Sequence, residues 1–357
     1  MTNKEVSRKK LEEITKVILD LNSPPGILLN ACHDMYALFG SITGVGEASE
    51  ESIDQNDIFL ESGKALAPID AARCVNDMAR TSNYLRGLKE GISEAIKRFP
   101  HEPVKVLYAG CGPYATLAVP LMTCFSQDDV KFTLMDINER SLNTARALIK
   151  TFGFHNFIDD FLLCDAVTYQ HPEDKPIHVI VTETMQRAFD KEPQVALTLN
   201  LASQLEKEGI FIPQGVEIKV CLANFGCEHK LYPAGTEIPE EDLKDPARNR
   251  KRLPLGPVLN FTAESAMALA KKIEKNIEGI PAFPPIKIEI PEIIDDDFDT
   301  IMLLTHIEVF NKHSLKDYDS GLTQPFVLHD LGKPKRGSTL EFRYVLGERP
   351  GYEWRVI

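Results

Sequence analysis

The spacing of apolar residues along the chain first predicts helices. Residues 1–22 carry apolar positions at three- and four-residue steps, the period of an amphipathic helix, and the prolines that follow end it. Residues 27–40 predict a second apolar helix, and the Gly-, Ser- and Glu-rich residues 41–57 predict a loop. We interpret residues 1–68 as a helical cap on the main domain.

The strongest helical signal in the N-terminal third runs from residue 69 to residue 99. Leu85, Leu88 and Ile92 lie on one continuous apolar stripe, together with further residues at the same steps. The pattern predicts a single long helix whose apolar side faces the core.

Beyond residue 103, short apolar runs alternate with amphipathic segments. We predict strands at 104–109, 131–135, 161–164, 178–181 and 210–213, and helices at 141–152 and 195–205. Residues 113–118, after a glycine-rich turn, predict the start of one more helix. Such alternation predicts a parallel sheet covered on both faces, with a ligand outside the carboxyl ends of its strands. Residues 69–215 are therefore predicted to form a Rossmann-like α/β domain.

The pattern changes again after Gly215, where apolar and polar residues alternate. This period predicts strands at 217–222, 287–290, 302–310, 324–328 and 339–346, and a helix at 264–277 lies between them. We predict that residues 216–357 form a mainly β, barrel-like domain with a helical insertion.

Composition narrows the choice of partners. The 357 residues include 43% hydrophobic and 26% charged residues, as in ordinary globular proteins. No apolar run approaches the roughly 18 residues that span a bilayer, and we see no signal peptide, so we expect a cytoplasmic protein without a membrane partner.

Seven cysteines without a Cys-x-x-Cys pair favour reduced thiols and predict no metal site. A net charge of −13 argues against nucleic acid and suits a cationic acceptor.

The first predicted strand ends in a Gly-x-Gly turn formed by Gly110, Cys111 and Gly112. The missing side chains let the backbone approach a ligand closely. Asp136, followed by Ile137, ends the second strand 24 residues beyond Gly112. A carboxylate there can accept both hydroxyl hydrogens of a ribose, which fits a nicotinamide dinucleotide and S-adenosylmethionine equally well.

A second acid follows the next strand. Asp165, followed by Ala166, ends the third predicted strand. In methyltransferases an acid at this place lies near the adenine amino group. Two acids at consecutive strand ends therefore favour S-adenosyl-L-methionine as the cofactor over a pair of turn-capping aspartates.

A polar cluster precedes the first strand and consists of Asp77, Arg80, Thr81 and Tyr84. Its spacing resembles the Asp-x-x-Arg-Thr-x-x-Tyr signature of protein arginine methyltransferases. The resemblance implies a class I methyltransferase fold and implies that Arg80 binds the methionine carboxylate of S-adenosylmethionine. A guanidinium group suits that role because it can bind a carboxylate through two charge-assisted hydrogen bonds.

Two glutamates after the fourth strand extend the resemblance. Glu183 and Glu192 are nine residues apart, and Met185 follows the first of them by two residues, as in the double-glutamate loop of that family. The resemblance implies that both are catalytic. Two carboxylates can hold a cationic guanidinium, localise a lone pair on one nitrogen and direct it at the sulfonium methyl.

The resemblance covers residues 69–215 well and the β-rich remainder loosely. Tyr114 stands where the family usually has a third glycine, and Gln186 and Arg187 replace its usual glycine and aromatic residue. Residues 322–324 lack the His-Trp pair of the family's acceptor loop. These differences and the helical cap slightly favour a small-molecule acceptor over a peptide arginine.

The sequence leaves several hypotheses about the function open. The first is an N-methyltransferase acting on a guanidino or amino nitrogen of a small molecule or a peptide. The others are an O- or C-methyltransferase, a non-catalytic cofactor-binding protein and, as the weakest, a nicotinamide-dependent dehydrogenase. A homodimer is possible, with the helix at 264–277 acting as an arm, a lid or a plain packing helix.

Overall fold

A computed structural model of the chain describes residues 3–46, 55–228, 241, 247 and 249–357. The helices of this part are α1 (Asn3–Leu19), α2 (Pro25–Thr43), α3 (Pro68–Arg73), α4 (Met78–Arg98), α5 (Glu139–Phe152), α6 (Gln194–Leu201), α7 (Phe225–Glu228) and α8 (Ala263–Ala270). None of them has the length and apolar composition needed to cross a membrane.

The strands fall into a small hairpin, one parallel sheet and two antiparallel sheets. The hairpin and the parallel sheet contain β1 (Ile58–Leu60), β2 (Gly63–Ala65), β3 (Val104–Ala109), β4 (Val130–Asp136), β5 (Ile158–Leu163), β6 (Val179–Thr182) and β7 (Ile210–Ile212). The antiparallel sheets contain β8 (Gly215–Ala223), β9 (Arg252–Phe261), β10 (Glu274–Lys275), β11 (Pro281–Ala282), β12 (Ile286–Glu289), β13 (Thr300–Phe310), β14 (His313–Leu315), β15 (Phe326–Val327), β16 (Thr339–Val345) and β17 (Gly351–Val356).

The parallel sheet confirms the predicted Rossmann-like fold class. Its strand order is β5-β4-β3-β6-β7, and every neighbouring pair is parallel. All four residues of β6 are buried, as expected for a strand that is covered on both faces. The order reverses at β3, so a crevice opens between the carboxyl ends of β3 and β6, the usual place for a ligand in such a sheet.

The N-terminal helices lie over this sheet. α1 and α2 pack against each other, and both contact α4 and α5. Leu11, Ile18, Met35 and Phe39 are fully buried in this layer. Phe39 meets Phe152 of α5 edge to face, with ring centroids 5.9 Å apart, so the layer belongs to the same core as the sheet.

The long helix predicted at 69–99 is divided in two. A 3₁₀ turn, Cys74–Asn76, separates α3 from α4. Asp77 leaves helical geometry with ψ of 91°, and its side chain accepts a hydrogen bond from the Arg80 N–H, which caps α4. Asp77, which lies inside the predicted helix, is therefore the residue at which a new helix starts.

The helix predicted at 113–118 is wrong. Residues 112–120 form successive turns, and the next helical element is the single 3₁₀ turn Leu121–Thr123. Ala115 has a φ of +41°, which a right-handed helix does not allow. The glycine turn therefore does not lead directly into an α-helix.

The mainly β C-terminal region is confirmed. One antiparallel sheet has the order β14-β13-β8-β9, with β15 also on β13, and the other contains β10, β11, β16, β12 and β17. β9 was missed in the sequence because Pro254, Gly256 and Pro257 interrupt its pattern. It lies at the edge of its sheet and shifts register against β8, a place where proline is tolerated.

The predicted insertion helix at 264–277 is shorter than expected. α8 ends at Ala270, and the residues after it form β10, which pairs with β11. α8 packs against α6 and β9 of the same chain. This contact favours the plain packing helix among the three roles considered for it, and the possible homodimer stays a prediction.

Candidate active site at the carboxyl ends of the parallel strands

The crevice between β3 and β6 opens into a cavity, here called the main cavity. Its volume is about 1090 Å³, including the space open to solvent. All the predicted site residues line it: Arg80, Gly110, Cys111, Gly112, Asp136, Ile137, Asp165, Ala166, Glu183 and Glu192. The structure thus brings together side chains from five separate stretches of the chain.

The glycine turn forms the floor of the main cavity. Gly110 and Gly112 have φ of +71° and +64°, in the left-handed region that glycine adopts without strain. The N–H groups of Gly110 and Cys111 both donate to the Met135 carbonyl, at 2.9 and 3.0 Å. A Cβ at Gly110 would lie only 2.3 Å from the Thr184 Cγ2, so the turn and the loop carrying Glu183 approach as closely as they do only because Gly110 has no side chain.

Asp136 stands at the end of β4 with each carboxylate oxygen held by the backbone. Oδ2 accepts from the Gly112 N–H and Oδ1 accepts from the Asn138 N–H, both at 2.8 Å. Burial raises the pKa of Asp136 to about 6, and hydrogen bonds from the backbone, including Ile137, oppose the rise. A carboxylate has about four acceptor positions, so these backbone bonds still leave Asp136 able to accept a hydrogen bond from a ligand.

Asp165 occupies the corresponding place after β5. Its Oδ1 accepts from the Val167 N–H at 2.8 Å and so organises the turn that follows the strand. The Ala166 carbonyl of that turn accepts from the Asn200 side chain at 2.9 Å. The turn is thereby fixed against α6 while both residues line the main cavity.

Arg80 and Glu183 form an ion pair in the lining of the main cavity. The Arg80 guanidinium donates to the Glu183 Oε2, while the Glu183 Oε1 is buried and has no hydrogen-bond partner within the described part of the chain. A buried, unsatisfied carboxylate oxygen is costly, which indicates a position meant for a donor from a ligand.

Glu192 is the second buried carboxylate, with 5% of the residue exposed. Burial raises its pKa, and the hydrogen bond from Gln186 and the charge of Arg80 oppose that rise. The Gln186 side-chain amide donates to the Glu192 Oε1 at 2.9 Å. Glu192 therefore offers a ligand its other oxygen.

Two residues that the sequence did not single out hold segments around the main cavity. The Gln194 Oε1 accepts from the Thr184 N–H at 3.0 Å and from the Thr184 hydroxyl at 3.1 Å. The Ser320 hydroxyl donates to the Asp77 Oδ2 at 2.7 Å, which ties the turn at residues 321–323 to the start of α4. Nothing in the local sequence marks either residue, because each acts only through a contact made by the fold.

Tyr114 does not block the main cavity. Its hydroxyl donates to the Val45 carbonyl at 2.6 Å, and its ring packs edge to face on Phe39, with centroids 5.3 Å apart. The ring therefore lies against α2 and forms part of the cavity wall.

A second, smaller opening, here called the side cavity, adjoins the main cavity. It has a volume of about 720 Å³, including space open to solvent. The two share Leu66, Arg80 and Glu192. The rest of its lining is Met185, Gln186, Arg187, Gly321, Leu322 and Gln324. Of the two glutamates, Glu192 thus lines both cavities, and Glu183 lines the main cavity alone.

Comparison with known proteins gives a likeness in structure alone. No family model and no curated protein matches the sequence. The chain is similar to a solved Trypanosoma brucei PRMT1 enzyme–prozyme heterotetrameric complex with AdoHcy, at 14% identity and a TM-score of 0.48, over 80% of this chain and 91% of that one. It is also similar to Arabidopsis thaliana protein arginine methyltransferase 10 in an open conformation, at 12% identity and a TM-score of 0.48, over 76% and 86% of the two chains.

Proposed function

We propose that this protein is an S-adenosylmethionine-dependent N-methyltransferase that acts on a guanidino or amino nitrogen, with a small molecule favoured over a peptide arginine as acceptor. One observation carries the proposal. Two carboxylates, Glu183 and Glu192, line the same cavity as a glycine turn and two strand-end aspartates, and the buried Glu183 Oε1 has no partner among the residues that the structure describes.

The residues present fit the cofactor. The left-handed glycines make room beside the turn, Asp136 would accept from a ribose hydroxyl, and Asp165 would accept from the adenine amino group. Arg80 would hold the methionine carboxylate. When bound, the cofactor supplies a sulfonium methyl: a nitrogen–carbon bond forms as the sulfur–carbon bond breaks, sulfur keeps the electron pair, and the nitrogen releases one proton.

The two glutamates would orient the acceptor nitrogen. Glu183 and Glu192 offer carboxylate oxygens to an acceptor N–H group. Both side chains are largely shielded from water, and charge-assisted hydrogen bonds are stronger in such a shielded site than in water. Arg80 already bonds to one oxygen of Glu183, so a carboxylate that engages Arg80 would free that oxygen for the acceptor. Positioning of this kind can supply several kcal/mol of the barrier reduction.

The test of the proposal is methyl transfer from S-adenosylmethionine carrying a labelled methyl group to size-fractionated extract of the source cell. We expect label in the small-molecule fraction, bound to nitrogen. Label bound to oxygen or carbon would replace this activity with another methyltransferase chemistry. If calorimetry shows binding of NADH and none of S-adenosylmethionine, the proposal is wrong.

The raised pKa of Asp136 predicts a pH-dependent affinity for S-adenosylhomocysteine. The carboxylate is mostly ionised at pH 7 and becomes protonated as the pH falls through about 6. Protonation removes an acceptor for the ribose hydroxyls, so we expect the affinity to fall about tenfold between pH 7 and pH 5. Calorimetry across this range measures the change, and Asp136→Asn should flatten the profile. An equal pH dependence in that variant would assign the effect to another group.

A further inference from the structure

The charges that line the side cavity do not favour a simple cation. Arg80 is paired with Glu183, and Glu192 is bonded by Gln186 and has a pKa that burial raises. The remaining charged residue of the lining is Arg187. The lining thus holds two arginines and one glutamate, and of the two arginines Arg80 is the one with an ion pair among the residues that the structure describes.

Arg187 has little to bind within the protein. Its Nη1 lies 3.4 Å from the Pro325 carbonyl, near the limit for a hydrogen bond, and its guanidinium carbon lies 5.4 Å from the centre of the Phe326 ring. Among the residues that the structure describes, no carboxylate lies within 4.0 Å of its nitrogens. A guanidinium has five N–H donors, so most of those on Arg187 are available to a ligand.

The backbone around Arg187 is fixed by buried contacts. The Ala188 N–H donates to the Thr305 hydroxyl at 2.9 Å, and the Tyr344 hydroxyl donates to the Phe189 carbonyl at 2.9 Å. Both residues after Arg187 are buried and have left-handed φ of 55°. The backbone that carries the Arg187 side chain is thus held in place by its neighbours.

We propose that Arg187 binds the carboxylate of the methyl acceptor, and that the acceptor is a free amino acid or related acid carrying a guanidino or amino nitrogen. This inference rests on the proposed function and deepens it. The acceptor nitrogen would face Glu183 and Glu192 while its carboxylate meets Arg187 at the opening of the side cavity. A guanidinium is the side chain best suited to pair with a carboxylate through two parallel hydrogen bonds.

The same residue would select against the other acceptor class. A peptide arginine has neutral amides beside it, which leave Arg187 without an ionic partner. A cationic peptide would bring like charge towards Arg187 and would bind less well for that reason. One side chain thereby supplies both attraction for the small acid and repulsion of the basic peptide.

Matched acceptors test the inference. Guanidinoacetate, 4-guanidinobutyrate and L-arginine are compared with their carboxamides in a methyl-transfer assay with wild-type protein. We expect at least one acid to exceed its carboxamide in kcat/KM by about tenfold or more, the size of a charge-assisted pair at a partly exposed site. Arg187→Gln should reduce that ratio to within about threefold, and Arg187→Lys should keep part of it.

Two controls separate this effect from damage to the fold. Arg146→Gln removes another arginine that lies over a phenylalanine ring and has a nitrogen 3.4 Å from a backbone carbonyl, outside both cavities, and it should leave the ratio unchanged. S-adenosylhomocysteine should bind to Arg187→Gln within about twofold of wild type, because Arg187 does not line the main cavity.

The outcomes distinguish the two proposals. If acids and carboxamides react equally well, or if Arg187→Gln keeps the ratio, the role of Arg187 is overturned while the N-methyltransferase activity stands. If only an arginine-containing peptide is methylated, the small-acid acceptor is overturned and the activity again stands. If the protein transfers methyl to none of these acceptors and to no fraction of the cell extract, both proposals fail.

Discussion

Glu183→Gln should reduce methyl transfer by about 10³-fold while leaving the affinity for S-adenosylhomocysteine within about threefold of wild type. The carboxamide has nearly the same shape, but it has no charge to offer a cationic acceptor. It can still accept the hydrogen bond from Arg80 through its oxygen, so the main cavity should keep its form. Single-turnover kinetics measure the transfer, and calorimetry measures the affinity.

The neighbouring carboxylate gives an internal comparison. Glu192→Gln should cost less than Glu183→Gln, because Gln186 already engages one oxygen of Glu192. Glu94→Gln, on the solvent face of α4, should change neither the rate nor the affinity, since exposed ion pairs contribute little. If Glu183→Gln keeps transfer within fivefold of wild type, the glutamate does not orient the acceptor, and an O- or C-methyltransferase becomes the better hypothesis.

The parallel sheet could be predicted because most of its strands are short, mainly apolar segments that lie between turn-forming residues. β3 and β6 are largely buried, and their carboxyl ends carry the glycine turn and Glu183. The strand pairing in the C-terminal region could not be predicted from the local sequence. The residues after Ala270 continue a helical pattern, yet they form β10 because they pair with β11, which itself pairs with β16 far along the chain. Tertiary pairing there overrides the local preference.

The candidate site was predictable to the extent that its residues follow strand ends. Asp136, Asp165 and Glu183 line one cavity because parallel strands bring their carboxyl ends to one edge. Contacts between side chains from separate elements could not be predicted in this way. The pairing of Arg80 with Glu183 and the packing of Tyr114 on α2 depend on distances that only the fold sets.

Gly110→Ala should be the most destabilising single-methyl change in the candidate site. The new Cβ would lie 2.3 Å from the Thr184 Cγ2, and the residue would keep a φ of +71°. Left-handed geometry costs an alanine about 1 kcal/mol. Relief of the overlap should cost about 1–3 kcal/mol more, because the Thr184 backbone is held by Gln194. We expect the melting temperature without ligand to fall by about 4–8 °C.

Gly112→Ala is the matched control for backbone geometry. Its φ is +64°, but its Cβ would meet nothing nearer than the Ala71 Cβ at 3.8 Å, so only the backbone cost of about 1 kcal/mol should appear. Thr184→Ser removes the overlapping methyl group and keeps the hydroxyl that bonds to Gln194. Added to Gly110→Ala, it should restore most of the lost stability beyond that backbone cost, measured against Thr184→Ser alone. Equal melting temperatures for the two alanine variants would show that the glycine turn and the Glu183 loop are not in close contact.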